Sequence, residues 1–193
     1  DRYNSLSIKE IQSLKEKPVL GLPNNPSLAN VIWSPDETKV AFTQSEDTFI
    51  YLCILDIATG NVEEFKNITL NATYGSPYIW HNDSKSIIAK RIPADRGDAP
   101  TVSRVPLGPT IQENLGRETM APTYQDLLKN DQDVKMFDYY FQSELVRISL
   151  TDHKVTQLSS KGIIANISTS PDGIYLLVNQ LKKPFSYLVP AYY

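Results

Sequence analysis

The sequence predicts an all-β fold built from repeated four-stranded antiparallel units, with one long insertion. Three observations support this prediction. A turn motif occurs three times, β-branched and aromatic runs flank each copy, and a proline-rich stretch interrupts the repeat. Four-stranded units arranged side by side around an axis are the blades of a β-propeller, and closure typically needs about four to eight of them. We therefore expect residues 1–193 to form one incomplete domain, a partial β-propeller.

The repeated motif reads as a strand, a tight turn and a second strand. Its copies start at Trp33, Trp80 and Thr169, and an aspartate follows each start by three residues. In the first and third copies a Ser-Pro pair precedes this aspartate. Proline presets the backbone angle for the first corner of a turn, and an aspartate can accept hydrogen bonds from the backbone ahead of it. We interpret Asp36, Asp83 and Asp172 as turn residues and not as catalytic carboxylates.

Further strands complete the units and divide the chain. An apolar strand, a turn and a short polar strand follow the first motif at 49–65, and a similar pair follows the second motif at 144–158. The predicted parts are the end of a preceding blade (1–30), one blade (31–77), a blade with an insertion at 93–140 (78–160) and the start of a third blade (161–193). Within the first part, 6–22 is predicted as two outer strands, although Ile8, Ile11 and Leu14 at three-residue spacing also fit a helix.

The insertion changes character along its length. Its first part is rich in proline, with Pro93, Pro100, Pro106, Pro109 and Pro122. Because proline interrupts both β-ladders and helices, we predict an extended loop there. Apolar residues then recur every three or four positions, which predicts two short helices at 124–129 and 132–140. Since the insertion joins the second and third strands of its blade, we expect it on the face of the disc opposite the aspartate turns.

Composition excludes several classes of function. The formal net charge is -3 and the basic residues are scattered, so the sequence offers no basic surface for nucleic acid. Apolar runs are far shorter than the roughly 20 residues that span a bilayer, so no membrane segment is predicted. One cysteine and two distant histidines cannot form a closed zinc site, and we predict neither a metal nor another cofactor. The compartment stays open, with a periplasmic or secreted location slightly favoured over the cytoplasm.

No catalytic residue is predicted. The chain lacks a Gly-x-Ser-x-Gly pentapeptide, which places a nucleophilic serine on a strained turn between a strand and a helix. The only imidazole bases, His81 and His153, fall in or beside predicted turns. The repeat alone therefore fits either a non-catalytic part of an enzyme or a stand-alone propeller of the TolB-like kind that binds protein partners.

Four sequence blocks are more specific than the repeat. They are Leu70–Pro77 (LNATYGSP), Gly108–Asn114 (GPTIQEN), Thr123–Asn130 (TYQDLLKN) and Pro184–Pro190 (PFSYLVP). In this order they resemble the propeller of the prolyl oligopeptidase family of serine peptidases, in its glutamyl endopeptidase-like branch. In that family the propeller precedes an α/β-hydrolase domain that supplies a serine, an aspartate and a histidine. The resemblance implies a non-catalytic propeller segment that gates or positions peptide for a hydrolase domain absent from this chain.

The resemblance also points to candidate binding residues. Lys90, Arg91 and Arg96 lie where the insertion leaves the second blade. If the preference of the branch for acidic side chains applies, Arg91 and Arg96 would hold a substrate carboxylate, because a guanidinium can bind it through two parallel hydrogen bonds.

We also expect the isolated chain to self-associate, since an incomplete array of blades exposes apolar faces at both ends.

Overall fold

The structure is a computed structural model that describes residues 2–101, 128 and 130–185. Within these residues the regular structure consists of twelve β-strands and one α-helix. In chain order the elements are β1 (Ser7–Lys9), β2 (Glu16–Pro18), β3 (Leu28–Trp33), β4 (Lys39–Ser45), β5 (Ile50–Asp56), β6 (Val62–Phe65), β7 (Tyr78–Trp80), β8 (Ser86–Arg91), α1 (Asp131–Phe141), β9 (Gln142–Ser149), β10 (Val155–Gln157), β11 (Gly162–Thr169) and β12 (Leu176–Leu181).

Strands β3 to β6 form the first four-stranded antiparallel sheet, which we call blade 1. The strands lie side by side in chain order, and β4 pairs with β5 over seven consecutive residues. Both of these middle strands are buried at their five central positions. Near-continuous apolar runs are typical of strands that are covered on both faces, so blade 1 has packing partners on both of its sides.

Strands β7 to β10 form blade 2, and the hairpin of β11 and β12 forms the described part of blade 3. The chain leaves blade 2 after Arg91 and returns at Gln142, so the insertion joins its second and third strands as predicted. The start of β9 also pairs with β11 through Gly162 opposite Ser143 and Ile163 opposite Gln142. This short ladder joins blades 2 and 3 into one six-stranded sheet.

The first residues of the chain form strands, not the alternative helix. β1 and β2 pair as an antiparallel hairpin, and Leu20 then adds an isolated parallel bridge to Asn61 beside β6. Leu6, Ile8 and Val19 pack against the apolar cluster on one face of blade 1. The hairpin therefore covers this face, in the place where a preceding blade is predicted.

The insertion contains one helix in its described residues. Helix α1 spans Asp131–Phe141, close to the predicted 132–140. Asn130 caps its first turn, because its side-chain oxygen accepts a hydrogen bond from the Asp133 N–H at 2.9 Å. The other predicted helix, 124–129, lies outside the described residues apart from the buried Leu128.

Successive residues of the second strand in each blade face different neighbours. In β4, Val40 and Phe42 belong to the cluster that the N-terminal hairpin covers, whereas Ala41 belongs to a cluster with Tyr78 and Trp80 of blade 2. Full burial of a large apolar side chain stabilises a fold by about 1.5 to 3 kcal/mol, so these interfaces are the main source of stability. The cluster between blades 2 and 3 consists of Ile88, Leu145, Ile164 and Ile167.

The predicted aspartate turns hold their shape through local hydrogen bonds. The Asp36 carboxylate accepts from the Ser34 hydroxyl at 2.7 Å and from the Thr38 N–H at 3.2 Å. These bonds, with that from Ser34 the strongest, lower the pKa of Asp36 to about 2. Asp172 repeats the arrangement with Ser170. The aspartates of these two copies therefore act as turn residues.

Contacts between the turns link neighbouring blades at this edge of the disc. The Asp36 N–H donates to the Ser84 hydroxyl at 3.0 Å, from the blade 1 turn to the blade 2 turn. The Asn82 side-chain amide donates to the carbonyls of Ser170 at 2.9 Å and Pro171 at 2.7 Å, from the blade 2 turn to the blade 3 turn. The three copies of the motif therefore form one continuous hydrogen-bonded row.

A buried lysine joins blade 2 to blade 3. The Lys90 ammonium donates to the carbonyls of Tyr74 at 2.5 Å, Ile164 at 3.1 Å and Ala165 at 3.2 Å, and the residue is 1% exposed. The pairing of β11 with β12 skips Ala165, and this irregularity brings two consecutive carbonyls toward one donor. Burial lowers the pKa of Lys90 from 10.5 to about 8, because the charged form loses water.

This shift predicts that the fold gains stability as the pH rises from about 8 toward 10.5. In that interval the unfolded chain still binds the lysine proton while the folded chain has released it, so deprotonation favours folding. The gain is at most about 3 kcal/mol, since one pKa unit corresponds to 1.36 kcal/mol. Urea unfolding of the wild type and of Lys90→Met over this range measures it. If the free energy of unfolding changed with pH in the same way for both proteins, Lys90 would not titrate in this way.

Candidate functional site

A groove lies on the face of the disc where the insertion starts. Its walls are the β4–β5 turn of blade 1 and the segment that follows β8 in blade 2. It consists of two adjoining cavities of about 680 Å³ and 370 Å³. The residues that line both are Thr48, Phe49, Thr69, Ile92 and Arg96. Because the β4–β5 turn and the Asp36 turn terminate opposite ends of β4, this face is the one opposite the aspartate turns, as the topology predicts.

Arg96 lines both cavities. The Arg96 N–H donates to the Pro93 carbonyl at 3.1 Å, which makes a tight turn at the start of the insertion. Its guanidinium lies over the Tyr139 ring at 4.3 Å from the ring centre, and the Tyr139 hydroxyl donates to the Gly97 carbonyl at 3.0 Å. Helix α1 thus holds this arginine in place. No carboxylate of the described residues pairs with Arg96.

Arg91 lines the smaller cavity but has a partner within its own sheet. Its Nε and Nη2 atoms lie 2.8 Å and 2.6 Å from Glu144 Oε1, and the two residues are directly opposite each other in β8 and β9. The Gln157 amide donates to the other Glu144 oxygen at 2.9 Å. The Glu144 side chain is only 10% exposed. A ligand carboxylate would therefore compete with a satisfied, partly buried ion pair at Arg91.

Asn71 is a structural residue of the groove to which the sequence alone assigned no structural role. Its side-chain amide donates to the carbonyls of Tyr140 and Gln142, each at 2.9 Å, and its oxygen accepts from the Thr73 N–H at 3.0 Å. Asn71 is buried, and it and Tyr140 line the larger cavity. This residue anchors the end of α1 to the groove wall. Its position in the block from Leu70 to Pro77 was the one available signal.

A serine, an aspartate and a histidine meet at the opposite face, but their order differs from that of a nucleophilic triad. Asp83 accepts from the Ser86 hydroxyl at 2.9 Å and lies 3.1 Å from His81 Nδ1. The aspartate therefore stands between serine and histidine, whereas a triad requires the histidine to contact the serine. Ser86 is also buried, and Arg147 pairs with Asp83 at 2.7 Å. This group of residues holds the blade 2 turn.

The remaining candidate residues have structural contacts. His153 Nε2 lies 2.8 Å from Glu63 on the surface, and its ring packs edge-on against Phe65. Cys53 is buried in blade 1. Across 2–101, 128 and 130–185 no cluster of His, Cys, Asp or Glu side chains is arranged to hold a metal ion. Over the same residues no helix is long and apolar enough to cross a bilayer.

The Arg91 ion pair predicts a specific pattern of stability. Arg91→Gln should lower the free energy of unfolding by about 1 to 3 kcal/mol, because it leaves the Glu144 charge partly buried without its cation. Adding Glu144→Gln should recover most of the loss, and urea denaturation measures both steps. Lys161→Gln, which removes the exposed pair with Asp95, serves as the control and should change stability by less than about 1 kcal/mol. Equal losses for Arg91→Gln with and without Glu144→Gln would contradict the pairing.

Comparisons with known proteins now bear on the identity of the chain. No family model matches it. It is 36% identical over 186 residues to a protein of Oryza sativa subsp. japonica described as a probable chloroplastic glutamyl endopeptidase, with 91% of this chain and 20% of that protein covered. An Arabidopsis thaliana protein of the same description is 33% identical over 185 residues, with 91% of this chain and 19% of that protein covered. The chain thus spans about a fifth of the curated relatives it matches.

A solved structure supports the fold independently. It comes from a structural and mechanistic analysis of two prolyl endopeptidases, and it matches 90% of this chain and 22% of its own with a TM-score of 0.54 and 19% identity. At this identity the match concerns the fold alone, and it confirms the predicted partial propeller. The sequence relatives and the fold together confirm the resemblance seen in the four sequence blocks. Over nearly its whole length the chain is therefore similar to a part of glutamyl endopeptidases, and it shares its fold with the corresponding part of a prolyl endopeptidase.

Proposed function

We propose that this chain is the non-catalytic propeller part of a serine peptidase and that it gates or positions peptide for a C-terminal hydrolase domain of the whole protein. Two observations support this role. The relatives are described as glutamyl endopeptidases, and the chain covers only about a fifth of their length. The sequence itself lacks the Gly-x-Ser-x-Gly pentapeptide that a hydrolase domain would supply.

The groove on the insertion face is the surface that we assign to peptide. It is open, and most of the side chains that line it are polar, with Glu46 and Asp47 of the β4–β5 turn among them. Such a lining suits an extended peptide, which presents both donors and acceptors along its backbone. Since the groove is bounded by the insertion, movement of the insertion would change access to it.

The position of the Arg96 guanidinium in the groove is the observation that supports the proposal most strongly. Its guanidinium is stacked on Tyr139 and lines both cavities, and no carboxylate of the described residues neutralises it. A stacked guanidinium keeps its N–H edge free for a carboxylate. We assign the main contact with an acidic peptide side chain to Arg96. Arg91 has a supporting role in the wall, because Glu144 already occupies its donors.

Peptide binding by the chain tests this assignment. Fluorescence anisotropy should show that a labelled peptide with a central glutamate binds more tightly than its glutamine counterpart. Arg96→Gln should lower the affinity for the glutamate peptide about five- to tenfold, because a partly exposed charge pair contributes around 1 kcal/mol to binding. The glutamine peptide should be unaffected.

Arg147→Gln is the matched control, since this arginine lies on the opposite face with Asp83. It should leave the affinity for both peptides unchanged. An equal loss for Arg96→Gln and Arg147→Gln would reveal a general charge effect and remove Arg96 from its assigned role. If the wild type bound the glutamate and glutamine peptides with equal affinity, Arg96 would also lose its assigned role.

We also expect that the pure chain does not hydrolyse a glutamyl ester or peptide. The reason is that its sequence has no nucleophile elbow, and that the histidines pair with Asp83 and Glu63 instead of a serine. A chromogenic glutamyl substrate provides the measurement. Turnover that a serine-directed inhibitor blocks would show that the chain has catalytic residues of its own.

A further inference from the structure

Among the residues that the structure describes, five charged side chains line the groove on the insertion face, and they are Arg2, Glu46, Asp47, Arg91 and Arg96. Two of the five are held by partners elsewhere in the chain. Arg91 Nη2 lies 2.6 Å from Glu144 Oε1, and Lys66 Nζ lies 3.1 Å from Glu46 Oε1. The Tyr51 hydroxyl also donates to this Glu46 oxygen at 3.1 Å. These two side chains therefore belong to the wall, and recognition of a charged ligand depends on the other three.

Asp47 is the acidic group of the groove without a cation of its own. In the described part of the chain no Lys, Arg or His side chain pairs with it. It lies exposed in the tight turn between β4 and β5, which a hydrogen bond from the Glu46 N–H to the Phe49 carbonyl at 2.9 Å closes. An ionised carboxylate only accepts hydrogen bonds, and it accepts the strongest ones from cations. Asp47 is therefore suited to a positively charged partner.

Asp47 and Arg96 lie in opposite walls of the larger cavity. Asp47 belongs to the wall that blade 1 forms, and Arg96 belongs to the segment that follows β8 of blade 2. Arg2 lines the same cavity, but it is not within ion-pair distance of Asp47. The cavity volume of about 680 Å³ is typical of ligand sites, which range from about 300 to 1,000 Å³. The groove thus presents an available anion and an available cation across a space that a ligand can fill.

An extended peptide in this groove directs successive side chains to opposite walls. Side chains alternate along a strand with a period of two, and each residue advances the chain by about 3.3 Å. When a glutamate of the peptide reaches Arg96, the residues directly before and after it face the wall that carries Asp47. Residues two positions away face the Arg96 wall again. The two available charges therefore favour a positive side chain directly next to the glutamate.

We propose that Asp47 is a second specificity-determining residue of the groove and that it selects a lysine or arginine directly next to the glutamate of the bound peptide. The inference rests on the proposed function, because it places the glutamate on Arg96. The Asp47 carboxylate accepts hydrogen bonds from the ammonium or guanidinium of the neighbouring peptide residue. An acidic neighbour is disfavoured, since like charges across an interface repel each other.

Two labelled peptides of identical composition test the spacing. AQKEKQA places a lysine on each side of the glutamate, whereas AKQEQKA moves both lysines one position outward. Fluorescence anisotropy should show that the chain binds AQKEKQA about three- to fivefold more tightly, because an exposed charge pair contributes up to about 1 kcal/mol and this energy corresponds to about fivefold. The two peptides carry the same net charge, so attraction by the total charge of the chain affects both equally.

Variants of Asp47 show whether this carboxylate causes the difference. Asp47→Asn should lower the affinity for AQKEKQA to that for AKQEQKA, and Asp47→Lys should reverse the order of the two peptides. Glu37→Gln is the matched control, since it removes one negative charge from an exposed residue in the Asp36 turn on the opposite face. It should keep the full difference between the peptides. Thermal unfolding of each variant verifies that it is folded.

The outcomes separate this inference from the proposed function. If the two peptides bound equally while Arg96→Gln still lowered the affinity for both, the groove would bind glutamate but Asp47 would not select its neighbour. The same conclusion would follow if Asp47→Asn lowered the affinity for both peptides equally, or if Glu37→Gln also removed the difference. If neither peptide bound, the proposed function and the role of Asp47 would both be wrong.

Discussion

The fold depends on side chains of blade 2 that satisfy backbone carbonyls in the inner strands of both neighbouring blades. Tyr78 and Trp80 donate to carbonyls of β3, and Lys90 donates to carbonyls of β11. Each inner strand has an irregular register at this place, at Asn30 in β3 and Ala165 in β11. A buried carbonyl without a donor costs free energy comparable to a lost hydrogen bond. Blade 2 thus sets the position of the blades on either side of it.

Apolar packing provides the stability and these polar contacts provide the register. The alternation of side chains along each strand sends one residue to the preceding blade and the next to the following blade, as Val40 and Ala41 show. Such packing alone would tolerate some sliding of one sheet over another, because apolar contacts are not directional. Directional hydrogen bonds at defined carbonyls remove that freedom, and the row of turns at the edge of the disc reinforces it.

The two faces of the disc serve different purposes. At one face the aspartate turns are saturated with hydrogen bonds to each other and to their own backbones, so they have little capacity for a ligand. At the other face the β4–β5 turn and the insertion border an open groove, and Asn71 ties helix α1 to its wall. The same division applies to the two arginines. Arg91 lies within the sheet and pairs across it, whereas Arg96 lies beyond the sheet and faces the groove.

The sequence by itself determined the fold class, the order of the strands and the point at which the insertion leaves blade 2, because period-two patterns and turn residues act locally. It also determined helix α1 almost to its ends. The hairpin at 6–22 was ambiguous, since a short apolar pattern fits both strand and helix until its packing on blade 1 is known. Only the tertiary structure decided the surroundings of Lys90, Arg91 and Arg96, three basic residues that lie within seven positions of one another in the sequence. Apart from the Tyr74 carbonyl that also accepts from Lys90, their partners come from β11, β9 and α1, at least 43 positions away in the chain (139 - 96 = 43). The sequence around the three residues therefore does not indicate which charge is buried, paired or available.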